Sequence, residues 1–166
     1  RLEGLRDEIL AAHPDRRVEL RALDVTDDDQ VFEVFGAFRD DFGTIDRVIV
    51  NAGLGKGAPI GPGRYDANRQ TAMTNFVAAL AQTEAAMEIF RAQKRGHLVM
   101  ISSVSAMRGM RKTVTTYAAT KAGVATLAEG LRNEMLGEPD LDIRVSTIYP
   151  GYIRSEMNER VKKTPF

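Results

Sequence analysis

Cysteine is absent from all 166 residues. That excludes disulfides, thiol nucleophiles and thiolate metal sites, and it suits a reducing compartment. Excess charge is absent too. The 23 lysines and arginines balance 23 aspartates and glutamates, so no net field recruits nucleic acid or an anionic membrane. Apolar residues make up 43% of the chain, yet no run approaches the roughly 18 that a membrane span requires, and the first residues show no signal-peptide pattern. There are two histidines, His13 before Pro14 and His97 at the start of a strand pattern. Neither has ligand-like companions, so metal catalysis is not expected. These exclusions leave one cytoplasmic domain with a real core, whose partners are chosen by a site.

What is present is an alternation of periodicities. Leu2, Leu5, Ile9 and Leu10 fall at helical spacing from Arg1 to Ala12, and His13-Pro14-Asp15 ends that run. Val18 to Leu23 alternates as a strand, Asp27 to Phe42 is an amphipathic helix, and Asp46 to Val50 is a short apolar strand ended by Asn51-Ala52-Gly53. Five glycines and two prolines between Gly53 and Gly63 read as loop. A long helix is expected from Ala67 to Gln93, closed by Gly96, then a strand from His97 to Ile101 and a loop from Ser102 to about Thr113. Thr115 to Leu136 is helical, and the strand Ile143 to Ile148 leads into Pro150-Gly151. Strands alternating with helices of this length imply a parallel sheet flanked by helices, an α/β fold.

Asp24-Val25, Asn51-Ala52-Gly53, Ser102-Ser103 and Pro150-Gly151 each follow the carboxyl end of a different expected strand. In open α/β sheets that edge is where ligands bind. Tyr117 lies fourteen residues beyond Ser103, and Lys121 lies four beyond Tyr117 in an expected helix. A spacing of four puts both side chains on one helix face, and an ammonium beside a phenol favours the phenolate. Such a phenol can exchange a proton while a serine hydroxyl holds the substrate oxygen, which is the chemistry of carbonyl and alcohol interconversion. Taken alone, a Tyr-x-x-x-Lys spacing also occurs by chance on solvated helix surfaces, so its meaning comes from the company it keeps.

With Asn51-Ala52-Gly53, Asn75, Ser103, Tyr117, Lys121 and Pro150-Gly151 in this order, the chain resembles the short-chain dehydrogenases/reductases over essentially its whole length. The resemblance implies a Rossmann-like, doubly wound parallel sheet in three αβα layers, an NAD(P) cofactor, and a small carbonyl or alcohol substrate. It implies that Asn75 serves a proton relay, Ser103 orients the carbonyl, Tyr117 is the general acid/base, and Lys121 holds the nicotinamide ribose. Asp24 and Val25 would lie beside the adenine, and Asn51, Ala52 and Gly53 would support the cofactor and the central sheet. Pro150 and Gly151 would set the turn from which the Ile153 backbone and Ser155 bind the carboxamide. A homodimer or homotetramer formed through the 67–93 and 115–136 helices is also implied.

The family's opening strand and Gly-rich pyrophosphate turn do not occur in these residues. Val18 to Leu23 corresponds to the third strand of the order 3-2-1-4-5-6, so its usual neighbours are missing and it is expected to lack a pairing partner. The sequence is therefore read as the N-terminally incomplete part of a longer dehydrogenase, the alternative being a fragment or binding module that cannot hold a dinucleotide. Epimerases and dehydratases that share Tyr-x-x-x-Lys fit less well, because Asn51-Ala52-Gly53 and Asn75 point to the simpler dehydrogenases. Gly53-Leu54-Gly55-Lys56-Gly57 lacks the spacing of a phosphate loop and the helix that should follow it. Met73, Met87, Met100 and Met135 read as core filler. Met107, Met110 and Met157 fall in loops beside the site and either line a substrate wall or do not. Arg108, Arg111 and Lys112 are either a solvated loop or a reader of anionic substrate. NAD and NADP are not separated by these residues.

Overall fold

The computed structural model describes residues 2–153. Its elements are α1 (Leu2–Ala12), α2 (Asp28–Phe42), β1 (Arg47–Val50), α3 (Tyr65–Ala72), a π-helical turn (Met73–Val77), α4 (Ala78–Gln93), β2 (Arg95–Ile101), α5 (Thr115–Leu136) and β3 (Asp142–Ile148). Two short 3-10 turns, Val104–Met107 and Lys112–Val114, interrupt the loop between β2 and α5. The strands form one parallel sheet in the order β1-β2-β3, with Val50 opposite Met100 and Met100 opposite Thr147. This register brings residues 51–53, 102–103 and 149–151 to the same edge. It is the parallel α/β architecture that the alternating periodicities imply, and it fits the Rossmann-like sheet that the resemblance implies.

Val50, Leu98, Met100, Ile143 and Val145 present one face of the sheet to α4 and α5, where Phe90, Met87, Val124 and Ala128 complete the core. Three of the four methionines read as filler, Met87, Met100 and Met135, are buried there. Burying a side chain such as Leu98 or Phe90 contributes about 1.5–3 kcal/mol. α2 packs on α4 through buried Val31 and Val34. Asp27 starts α2 by accepting from the Gln30 N–H at 3.1 Å, and Gly43 ends it in the left-handed region at φ 74°. Arg91 then ties α4 to α5 through Glu134 and Glu138, at 2.7 and 2.8 Å.

Two readings of the sequence need correction. Val18 to Leu23 forms no strand: among the described residues the sheet has three strands, and this segment pairs with none of them. A strand exists through its ladder, and alternating side chains alone do not supply one. Arg17 and Arg21 hold the segment to α2 instead. Both pair with Asp41, and their guanidinium carbons lie 4.9 Å from the centroid of the Phe42 ring and 5.4 Å from that of Phe38. Nor does Gly96 close the long helix. Lys94 does so in the left-handed region at φ 60°, and Gly96 lies in β2, where a Cβ would stand 2.2 Å from the Phe90 ring. Its glycine character therefore reflects close packing against the core.

Candidate active site

The expected helix from Ala67 to Gln93 begins at Tyr65 and is broken at Met73–Val77 by the π-helical turn. Such turns are rare and concentrate at functional sites. Asn75 sits in this one, fully buried. Its Oδ1 accepts the Leu54 N–H at 2.8 Å, and its Nδ2 donates to the Leu54 carbonyl at 2.9 Å and to Thr120 Oγ1 at 3.3 Å. One amide thus holds both backbone groups of Leu54 and joins the loop after β1 to α5. Both ends of the side chain are satisfied, as a buried amide requires.

Lys121 is also buried, at 5% exposure. Its Nζ donates to the Ile101 carbonyl at 2.8 Å and lies 6.0 Å from the centroid of the Tyr117 ring. Burial pushes its pKa below the ordinary lysine value. An ammonium has three donors, and among the described residues only the Ile101 carbonyl takes one. Gly53 leaves the adjoining space open: a Cβ there would stand 3.4 Å from both Asn75 Oδ1 and Lys121 Nζ. A hydroxyl-rich ligand such as a ribose fits this donor set.

Ser103 is buried and caps the 3-10 turn Val104–Met107, accepting from the Ser105 N–H at 3.2 Å and from Ser105 Oγ at 3.0 Å. With both acceptor positions used, its own O–H remains to donate. No hydrogen bond joins Ser103 to Tyr117, whose side chain is half-buried. The Pro150 carbonyl accepts from the Val104 N–H at 3.1 Å, which places the Pro150-Gly151 turn beside the Ser103 turn. Asn51 is exposed and Ala52 half-buried at the end of β1, and Tyr152 and Ile153 are exposed beyond the turn. Asp24 is spent locally: its carboxylate accepts from Thr26 N at 2.9 Å and Thr26 Oγ1 at 2.8 Å, which hold it below the usual carboxylate range. No hydrogen bond or ion pair joins Asp24 or Val25 to Asn75, Tyr117 or Lys121. Ser155 and Met157 lie outside the described residues.

Sequence reasoning missed Asn68 and Thr120, and it placed Ser102 at the strand edge without giving it a role of its own. Asn68 Oδ1 accepts from the Ala58 N–H at 2.9 Å and from Thr116 Oγ1 at 3.0 Å, locking the loop after Gly53 to the residue before Tyr117. Its signal was present, since Asn68 and Asn75 are seven apart and share the buried side of the helix. Ser102 Oγ donates to the Lys121 carbonyl at 2.7 Å, and Thr120 Oγ1 to the Tyr117 carbonyl at 2.7 Å. Gly57 closes the arrangement, with a Cβ position only 2.3 Å from the Thr113 carbonyl oxygen.

The family model for short chain dehydrogenases matches residues 1–165. The chain belongs to that family. An uncharacterized oxidoreductase of Mycobacterium tuberculosis H37Rv is 46% identical over 164 residues, covering 99% of this chain and 64% of the relative. The NADPH-dependent 3-quinuclidinone reductase from Rhodotorula rubra superposes with TM-score 0.84 at 26% identity, over 95% of this chain and 58% of that one. A NAD+-bound xylitol dehydrogenase does so with TM-score 0.75 at 26% identity, over 92% and 58%. The short-chain dehydrogenase chain spans about three-fifths of the length of the curated relatives it matches.

Proposed function

We propose that this short-chain dehydrogenase chain carries the catalytic half of an NAD(P)-dependent oxidoreductase that interconverts a carbonyl and an alcohol. The observation that carries the reading is the convergence on Gly53: Asn75 Oδ1 and Lys121 Nζ both lie 3.4 Å from its Cβ position, and Lys121 lies 6.0 Å from the centroid of the Tyr117 ring. The cofactor, when bound, supplies or accepts a hydride. Tyr117 gives its phenolic proton to the carbonyl oxygen in reduction and recovers it in oxidation. Ser103 donates its free O–H to that oxygen and fixes the carbonyl's orientation. Lys121 holds the nicotinamide ribose with its two remaining donors, and Asn75 keeps the loop backbone in register with α5. Asn51, Ala52 and Gly53 would support the cofactor, Asp24 and Val25 would hold its adenine, and the Pro150-Gly151 turn with Ile153 and Ser155 would bind the carboxamide, as the resemblance implies. One neighbour is NADPH-dependent and another was solved with NAD+.

Replacing Tyr117 with Phe in the full-length polypeptide should lower kcat by about a hundredfold or more, the scale of a lost general acid/base. NADH and NADPH affinity, followed by cofactor fluorescence, should stay nearly unchanged. Near-normal turnover by that variant would falsify the assignment of Tyr117.

A further inference from the structure

The loops that rim the site carry charge of one sign. Residues 51–63 and 102–114 hold Lys56, Arg108, Arg111 and Lys112 and no Asp or Glu, within a chain whose charges balance. None of these four side chains makes an ion pair or hydrogen bond among the described residues, whereas Arg17, Arg21, Arg39, Arg64 and Arg91 each reach a carboxylate. All four are exposed.

The two loops meet through the approach of Gly57 to Thr113, and Lys56 and Lys112 are the residues that precede those two. Lys112 is held in the left-handed region at φ 61°, a conformation that costs a non-glycine residue energy and persists only where its surroundings impose it. The Arg108 and Arg111 segment runs from Ser103, at the head of the first 3-10 turn, to Thr115, which fixes its end by donating to the Met110 carbonyl at 3.0 Å. Exposed Met107 and Met110 alternate with these cations. Uncompensated like charges within one Debye length, about 8 Å at physiological ionic strength, repel one another and are relieved by an anion. A site with unpaired cations and pliant thioethers on one rim suits a ligand with an anionic end and an apolar stem.

We propose that Arg108, Arg111 and Lys112 select a carbonyl substrate that bears its own carboxylate or phosphate, with Met107 and Met110 against its stem. This rests on the oxidoreductase reading above. Along the chain the cations fall between Ser103 and Tyr117, the two residues that reading sets at the reacting carbonyl, so the charge they attract is assigned to the substrate.

The test uses the full-length polypeptide, 7-oxooctanoate and its methyl ester as probes, and the triple variant Arg108→Gln, Arg111→Gln, Lys112→Gln. The wild type should favour the acid. The variant should lose about tenfold or more in kcat/KM on the acid, through KM, and less than about twofold on the ester, with the cofactor KM unmoved. Added salt should weaken the wild type on the acid alone. Equal losses on acid and ester, no preference in the wild type, or a raised cofactor KM would each overturn the proposal. If neither probe is turned over, calorimetric titration of 7-oxooctanoate decides. Binding that the triple variant abolishes sustains the anion site, and no binding overturns it. The oxidoreductase reading is judged separately, by NADH and NADPH titration. Because the three side chains are exposed, the variant should keep the wild-type circular dichroism and melting temperature.

Discussion

Lys121 is a buried cation with a single hydrogen-bond partner among the described residues, the Ile101 carbonyl. Desolvation lowers its pKa in the fold, so over an interval below the ordinary value of 10.5 the unfolded chain binds more protons than the folded one. Stability should therefore rise with pH across that interval. Replacing Lys121 with Gln should flatten the rise, which urea unfolding at a series of alkaline pH values measures; parallel profiles would remove burial as the dominant influence on this lysine. The Tyr117 and Lys121 pair was legible because a spacing of four on a helix is a local property. Asn68 lies seven residues from Asn75 on the same side of the helix, but its role depends on Ala58 and Thr116, which reach it only after three segments have folded together. Asp24 followed an apolar alternation and so read like the other strand-end residues; one oxygen of its carboxylate accepts from Thr26 N and Oγ1.

Among the elements, the contact between the loop after β1 and the loop before α5 has the least tolerance. A Cβ on Gly57 would stand 2.3 Å from a backbone oxygen, which cannot swing aside as a side-chain end can. Gly57→Ala should cost about 1–3 kcal/mol, the usual range for overpacking, and should speed amide exchange at residues 112–116. Gly109→Ala in the same region meets nothing within 4 Å and is the control. Helix limits were read well where the stop was chemical: Thr115 to Leu136 is found as expected, and Asp27 caps α2. Val18 to Leu23 was misread because side-chain alternation reports which residues can face a core, whereas pairing depends on a neighbouring strand. The π-helical turn left no trace in the apolar period.

For the molecule as a whole, the resemblance implies association through the 67–93 and 115–136 helices, and the groove along α5 lined by Phe76, Gly123, Leu127, Gly130 and Leu131 is where that expectation can be tested. Gly130 meets no atom within 4 Å of its Cβ position and is exposed. Gly130→Arg should thus leave one subunit folded, with about 1 kcal/mol gained in helix propensity, while a second helix packed on this groove is pushed away. Light scattering should show the mass of the full-length assembly halved; an unchanged mass would place the contact elsewhere. The order of strands came with the resemblance, whereas the parallel sheet and the edge where residues 51–53, 102–103 and 150–151 gather were legible from the alternation of elements. What covers the sheet's other face, where Ile49 is 57% and Ile148 47% exposed, was not.

The clamp of Asn75 on Leu54 bears on mutational freedom. Because the asparagine grips the N–H and C=O of Leu54 and not its side chain, this clamp is indifferent to which residue stands at position 54. Position 54 is consequently a point where side chains can be exchanged in a library, reshaping the surroundings of Gly53 while the clamp itself is kept.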